Sequence, residues 1–285
     1  MAIDNFIPDI WSAAVETEFI SEQVVIPTVS GKYSGEVNRG NTVKITGAVT
    51  PTITDYAGAG RSITAEALAD DGQDLQIDKE DAWSIIIDDI DKVQAAGDLE
   101  AWAGSAGRAL AETAEQDVID VIKNGSWTVN ILGDSPLTID SYADAKAGLL
   151  ALRAHLTKFK IPQSNRFAVC NPEFVNYILD GLSDASIAGG SNELRNGFVT
   201  RLYGFDILES PLVGHAGKPA VYAYHGDTVA FVSQLQQTEA LRHQTKFADI
   251  ARGLLVHGEK VIRQQGVASF VSAGVAQTAF SSFLS

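Results

Sequence analysis

Cysteine occurs once in these 285 residues, at Cys170, so neither an intrachain disulfide nor a cysteine-built zinc cluster can form. Stability has to come from packing or from neighbouring molecules. Long hydrophobic runs are missing too. Stretches such as Ile85 to Ile87 stop far short of the roughly 20 apolar residues of a spanning helix, which excludes a helical membrane segment. The opening MAIDNFIPDIW has neither the basic stretch nor the apolar run of a secretory leader, so residence in a reducing cytoplasm is expected. Basic residues are scarce, 21 Lys and Arg against 36 Asp and Glu, and the deficit is confined to one half of the chain. Residues 1–125 hold 23 acids and 8 bases, whereas residues 126–285 hold 13 of each. A surface that tracks phosphates needs clustered Lys and Arg, so sequence-specific nucleic-acid binding is disfavoured. The acidic half reads as a solvated, self-repelling surface.

What is present fits a packed protein: hydrophobic residues make up 45% and charged residues 20%, which matches globular usage and excludes disorder or low complexity. The first element is a short helix opened by Pro8, with Ile7, Trp11, Val15 and Phe19 along one side. Val24 to Thr28 and Gly31, Gly35 and Gly40 follow, so this stripe is expected on an arm tethered outside the next domain and covered by another subunit. Residues 41–81 alternate in NTVKITGAVTPTITDY and again in DLQIDKEDAWSIII, which predicts two long strands. Between them, AGAGRSITAEALADDGQD has too few large apolar residues for a core of its own and predicts a projecting loop docked on a neighbour.

The strongest helical signal covers 98–123. Leu99, Trp102, Ala106, Leu110, Thr113, Val118 and Ile122 fall near one face and the acids elsewhere. Its 26 residues span roughly 39 Å. Gly104 and Gly107 inside it predict a close crossing, and Lys123, Asn124 and Gly125 supply the stop. Residues 126–227 read as an α/β unit. Asp140 or Ser141 caps a helix carrying Leu149, Leu152 and Leu156 inward, Arg166 to Cys170 is a buried strand, and Asn171 caps a helix with Pro172 at its first position. GLSDASIAGGSNELRNG is a polar loop. Strands follow at Phe205 to Leu208 and Ala220 to Tyr224, a turn at His225 to Asp227, and further strands from Thr228 to Gly274.

No motif supplies chemistry. The five histidines, His155, His215, His225, His243 and His257, show neither a helical i, i+4 pair nor a cysteine partner, so no metal site is expected. Ser105 in AGSAG lies inside the long helix rather than at a strand-to-helix turn and reads as a packing residue. Cys170 follows a buried strand and reads as an inert thiol. Asp88, Asp89 and Asp91 read as a solvated strand end, and Gly58 and Gly60 lack the rest of a dinucleotide fingerprint. No cofactor and no catalytic group is assigned.

The order of parts, with IDDIDKVQA leading into the long helix GDLEAWAGSAGRALAETAEQDVIDVI and GFDILESPLV leading to the last strands, resembles the major capsid proteins of tailed double-stranded DNA bacteriophages over essentially the whole chain. The resemblance implies an α+β chain of the Hong Kong 97 type. It implies an N-terminal arm (1–38), an extended loop (39–81), a peripheral domain (82–130 with 228–275) holding the spine helix, an axial domain (131–227) and a tail (276–285). It further implies assembly of pentamers and hexamers into an icosahedral shell around DNA, in the host bacterial cytoplasm, with no enzymatic activity. A separate scaffolding protein and a portal are expected partners, a decoration protein an optional one. Lys44 is the interior lysine of the loop but does not match the cross-linking position of some relatives, so that chemistry is not carried over.

Intersubunit contacts are expected at Trp11, Val15 and Phe19 of the arm and at Arg39, Lys44, Tyr56 and Arg61 of the loop. In the last segment they are expected at Arg242, Lys246, Arg252, Lys260 and Arg263, where the acidic half would supply partners. Two other readings stay open on the residues alone: an encapsulin-like compartment of the same fold holding a cargo enzyme, and a hydrolase on the α/β unit using His225 and Ser105.

Overall fold

Alternation sets the first strands. Thr42–Ile45 (β1) and Gln73–Gln76 (β2) pair antiparallel with Val43 opposite Leu75. Val43, Ile45 and Leu75 all point inward. The structure, a computed structural model, describes residues 23–33, 42–45, 52–58, 60–62, 72–88, 99–128, 138–181, 198–214 and 217–272. Lys79–Asp88 (β3) leads towards the long helix Leu99–Gly125 (α1), whose 27 residues span roughly 40 Å. Then come Trp127–Thr128 (β4), Tyr142–Lys158 (α2), Arg166–Cys170 (β5), Pro172–Gly181 (α3), Phe198–Leu202 (β6), Phe205–Glu209 (β7), Ala220–His225 (β8), Val229–Arg242 (β9), Ala248–Val261 (β10) and Val267–Val271 (β11).

Among the described residues there are two sheets besides the two-stranded hairpin. One has three antiparallel strands in the order β3-β10-β9; the other is mixed, six-stranded, in the order β4-β11-β8-β5-β7-β6. β4 and β11 join it from outside residues 131–227. Local chemistry explains its frame. Ser141 caps α2, accepting from the Asp144 N–H, while its hydroxyl donates to the Asp144 carboxylate at 2.6 Å. Leu149, Leu152 and Leu156 then recur at helical spacing and are fully buried. Arg166 is buried because its guanidinium donates to the carbonyls of Pro162 and Ile161, both at 2.6 Å, which ties the α2–β5 turn to the strand.

Among the described residues three apolar clusters build the interior. α2 and α3 cover one face of the six-stranded sheet, with Phe174 and Ile178 against Ala168, Ile207 and Val221. On the other face Val169, Leu208, Tyr222 and Val267 meet Leu110, Val118, Ile119 and Ile122 of α1, and the same cluster takes in Ile87, Phe231, Ala251 and Leu255 of the three-stranded sheet. The spine helix therefore lies against both sheets. The third cluster sets Val43, Ile45, Leu75 and Ile77 against Ala230 and Val232 of β9.

Several expectations need correction. The two long strands of 41–81 are four-residue strands at the hairpin base plus the separate strand β3. The base also has its own buried cluster, so it does not wait on a neighbour for cover, whereas Ile53 and Tyr56 in the described part of the loop are exposed. Residues 24–30 are not a free tether: Val25 is fully buried in the main core and Ser30 bridges Ala230 of β9. On α1, Thr113 and Ser105 are exposed, not packed, because the buried arc runs through Ala111, Ala114, Glu115, Val118 and Ile122. The expected acid-free apolar face is interrupted by buried Glu115, whose carboxylate has backbone donors. The start of the arm and the polar loop 182–197 lie outside the described residues.

Candidate assembly surfaces and a charged cluster

The loop beyond the hairpin base shows how the chain presents apolar groups without burying them. Asp55 turns the backbone by accepting from the Ala57 N–H at 3.0 Å, and Arg61 donates its N–H to the Tyr56 carbonyl at 2.9 Å. Gly60 and Arg61 sit at φ 66° and 63°, left-handed values that close this turn. Ile53 is 88% exposed and Tyr56 is exposed beside it. A second exposed apolar group ends the three-stranded sheet. There the His243 ring nitrogen Nδ1 accepts from the N–H groups of Thr245 and Lys246, which shapes a turn that leaves Phe247 81% exposed. Ile86, Ile250 and Leu241 line up across β3, β10 and β9 just below it, and Ile86 and Leu241 are exposed.

Of the expected contact residues, Trp11, Val15, Phe19 and Arg39 lie outside the described residues. Lys44 is exposed on β1 opposite Asp74, and Tyr56 and Arg61 share the projecting turn. Arg242 bonds Asp249 at 2.9 Å and Arg252 bonds Glu239 at 2.6 Å, both pairs lying within the β9–β10 hairpin. Lys260 does reach that half, donating to the Asp74 carbonyl at 2.8 Å. Lys246 and Arg263 are exposed.

One constellation was not visible in the sequence. His257, fully buried on β10, places Nε2 3.1 Å from an Asp81 oxygen and 3.7 Å from an Asp117 oxygen, and Nδ1 3.1 Å from Glu259. Lys79 holds the remaining oxygens of Asp117 and Glu259 at 2.7 and 2.6 Å. Burial pulls both His257 and Lys79 down, but their carboxylate partners outweigh it and hold both above their ordinary values; burial would push Glu259 up, and His257 and Lys79 bring it down. Asp81, Asp117 and His257 have the donor types of a divalent-metal site, although the Lys79 ammonium already neutralises Asp117. The contributing positions lie on β3, α1 and β10. Their only trace in the sequence is the pair of i, i+2 spacings Lys79/Asp81 and His257/Glu259 on strands.

Nothing described assembles a hydrolase. Ser105 is exposed on α1, and the His225 Nδ1 accepts from the Asp227 N–H at 3.2 Å. Cys170 is buried, and burial pushes its thiol well above the ordinary range. Among the described residues no helix is long and apolar enough to cross a membrane.

A profile described as "Phage capsid protein" matches residues 48–267. The chain belongs to the phage capsid protein family. A solved structure from Mycobacterium phage Che8 is 34% identical, with 87% of this chain and 90% of that one aligned at a TM-score of 0.75. The capsid structure of the cyanophage P-SCSP1u aligns over 83% and 85% at TM-score 0.63 and 17% identity. A virus-like particle from Pyrococcus furiosus shares the fold over 92% and 98% at TM-score 0.59, but at 10% identity. No curated protein matches the sequence. As a phage capsid protein the chain has the α+β fold of the Hong Kong 97 type, is a structural protein and serves as the major capsid protein of a phage head. The cargo-compartment reading is not favoured.

Proposed function

We propose that copies of this capsid protein join as pentamers and hexamers into an icosahedral shell around double-stranded DNA, with no enzymatic activity. The observation that carries this reading is the pair of bare apolar ends: Ile53 with Tyr56 on the projecting loop, and Phe247 with Ile86 and Leu241 at the far end of the three-stranded sheet. Both lie on supports anchored in the chain's own core, so a neighbouring molecule that seats on them gains by removing their apolar area from water. Repeated copies of the same chain supply that neighbour.

In this reading residues 1–38 are an arm, 39–81 the extended loop, 82–130 with 228–275 the peripheral domain, 131–227 the axial domain around the symmetry axes, and 276–285 a tail. Trp11, Val15, Phe19, Arg39, Lys44, Tyr56, Arg61, Arg242, Lys246, Arg252, Lys260 and Arg263 contribute contacts between subunits. A separate scaffolding protein and a portal act in assembly, a decoration protein is an optional addition, and assembly takes place in the host bacterial cytoplasm. Acids facing the interior keep packaged DNA from adhering.

Cryo-electron microscopy of particles from cells expressing the full chain tests the proposal. Closed shells of five-fold and six-fold clusters, with DNA and a portal vertex in particles from infected cells, are expected. A non-associating monomer at every concentration overturns it.

A further inference from the structure

Both ring nitrogens of His257 face carboxylate oxygens: Nδ1 faces Glu259, and Nε2 faces Asp81 with Asp117 beyond it. Ionised carboxylates only accept hydrogen bonds, and a neutral imidazole carries a single N–H. Only the imidazolium can therefore donate on both sides; the neutral ring would set a lone pair against a carboxylate oxygen about 3 Å away. Two of these carboxylates, Asp117 and Glu259, are not free to turn aside. Lys79 grips the outer oxygen of Asp117 and of Glu259 and leaves the inner ones aimed at the ring. No water reaches the ring to replace a lost bond, since His257 is fully buried with the Phe231 ring beside it at 5.8 Å between centroids.

The groups facing His257 come from every element packed around it: Lys79 and Asp81 from β3, Asp117 from α1, Glu259 from β10 and the uncharged Phe231 from β9. Asp117 is the only one carried by the spine helix.

We propose that His257 is a proton-operated clamp between the spine helix and the three-stranded sheet: protonated, it bridges Glu259, Asp81 and Asp117, and loss of the proton weakens the hold of the strands on the helix face around Asp117, where the Lys79 ion pair remains. Because α1 also packs on the six-stranded sheet, the clamp governs how firmly the two sheets are held to each other. The inference concerns the fold and does not depend on shell geometry. The raised affinity of His257 for its proton gives the sign. The contribution is complete below the ordinary histidine value of about 6.5 and is lost as pH rises through the higher folded value. Glu259, held low, sets the acid limit: its share is lost as pH falls through its lowered value.

The test is hydrogen–deuterium exchange of the full-length protein from about pH 5.5 to 8.5, corrected for intrinsic rates, in the peptides around Asp117 and around Lys79 to Asp81. One linked proton makes local opening rise by up to about tenfold per pH unit above the ordinary histidine value. That slope is expected in wild type and in His243→Gln, and is expected to vanish in His257→Gln. A flat wild-type profile, or a slope that survives in His257→Gln, overturns the proposal. Should His257→Gln fail to fold, exchange of the imidazole C2 hydrogen in wild type decides. A His257 midpoint above that of free histidine supports the clamp, and one at or below it overturns it. Added zinc that abolishes the wild-type slope, with no such effect in Asp117→Asn, also overturns it, because the cluster would then be a cation site.

Discussion

Glu115, in the middle of the spine helix, accepts the backbone N–H of Val24 at 2.7 Å across 91 residues of chain. The bond satisfies a backbone donor where the chain enters the core, and the carboxylate is itself buried. Replacing Glu115 with Ala strands that donor and is expected to cost about 1–3 kcal/mol of stability, read by denaturant unfolding. Burial raises Glu115 above the ordinary carboxylate value despite its amide donors, so ionisation works against folding there. The corresponding stability is complete below about pH 4.5 and is lost as pH rises through the raised value. Glu115→Gln removes this acid-side gain, and an unchanged pH profile in that variant contradicts the account.

Asn171 joins three backbone groups. Its Oδ1 accepts from Phe174 at 3.2 Å, capping α3, and from Ala220 at 2.9 Å, while Nδ2 donates to the Lys218 carbonyl at 2.7 Å. Asn171→Ala removes a cap and leaves the buried Ala220 N–H without its side-chain acceptor, so a loss of about 2–4 kcal/mol is expected. Asn171→Asp keeps both acceptor bonds but sets an oxygen against the Lys218 carbonyl, so it should recover only part of the loss. Equal losses in the two variants contradict this assignment.

Gly258 faces the hairpin base so closely that a Cβ there would lie 2.2 Å from the Gln76 carbonyl oxygen and 2.9 Å from the Ile77 Cα. Both are backbone atoms and cannot rotate away. Gly258→Ala is expected to push β2 off β10, raise amide exchange at Leu75 and lower the yield of closed particles. Wild-type exchange at Leu75 in this variant would refute the contact.

Ile53→Asp and Phe247→Asp change exposed residues. Each is expected to leave the unfolding midpoint within about 0.5 kcal/mol of wild type while sharply reducing particles in sedimentation. Leu75→Ala, in the buried hairpin cluster, should instead destabilise the subunit by about 2–5 kcal/mol. Normal assembly of both surface variants counts against the proposed contact surfaces.

Elements governed by local chemistry were legible in the sequence. Ser141 with Asp144, and Asn171 with Pro172, mark two helix starts within a few residues, and the buried strand Arg166–Cys170 has its expected bounds. What failed required knowledge of partners far along the chain. Alternation over 73–87 is equally compatible with one strand or two, and only the pairing of β2 with β1 and of β3 with β10 divides it. Glu115 looked like a surface acid because nothing near it in sequence shows that Val24 supplies its bond. The His257 cluster was missed for the same reason, since Asp81 is 176 residues away.

Composition and periodicity by themselves determined that the chain is a disulfide-free packed protein with a long spine helix and an α/β unit, because charge, hydrophobic spacing and caps act over a few residues. Tertiary structure alone decided which acids become buried, which part of the loop finds cover at home, and where a histidine meets three carboxylates. Those outcomes depend on strands and a helix brought together across the whole chain, and no local property of the sequence encodes that distance.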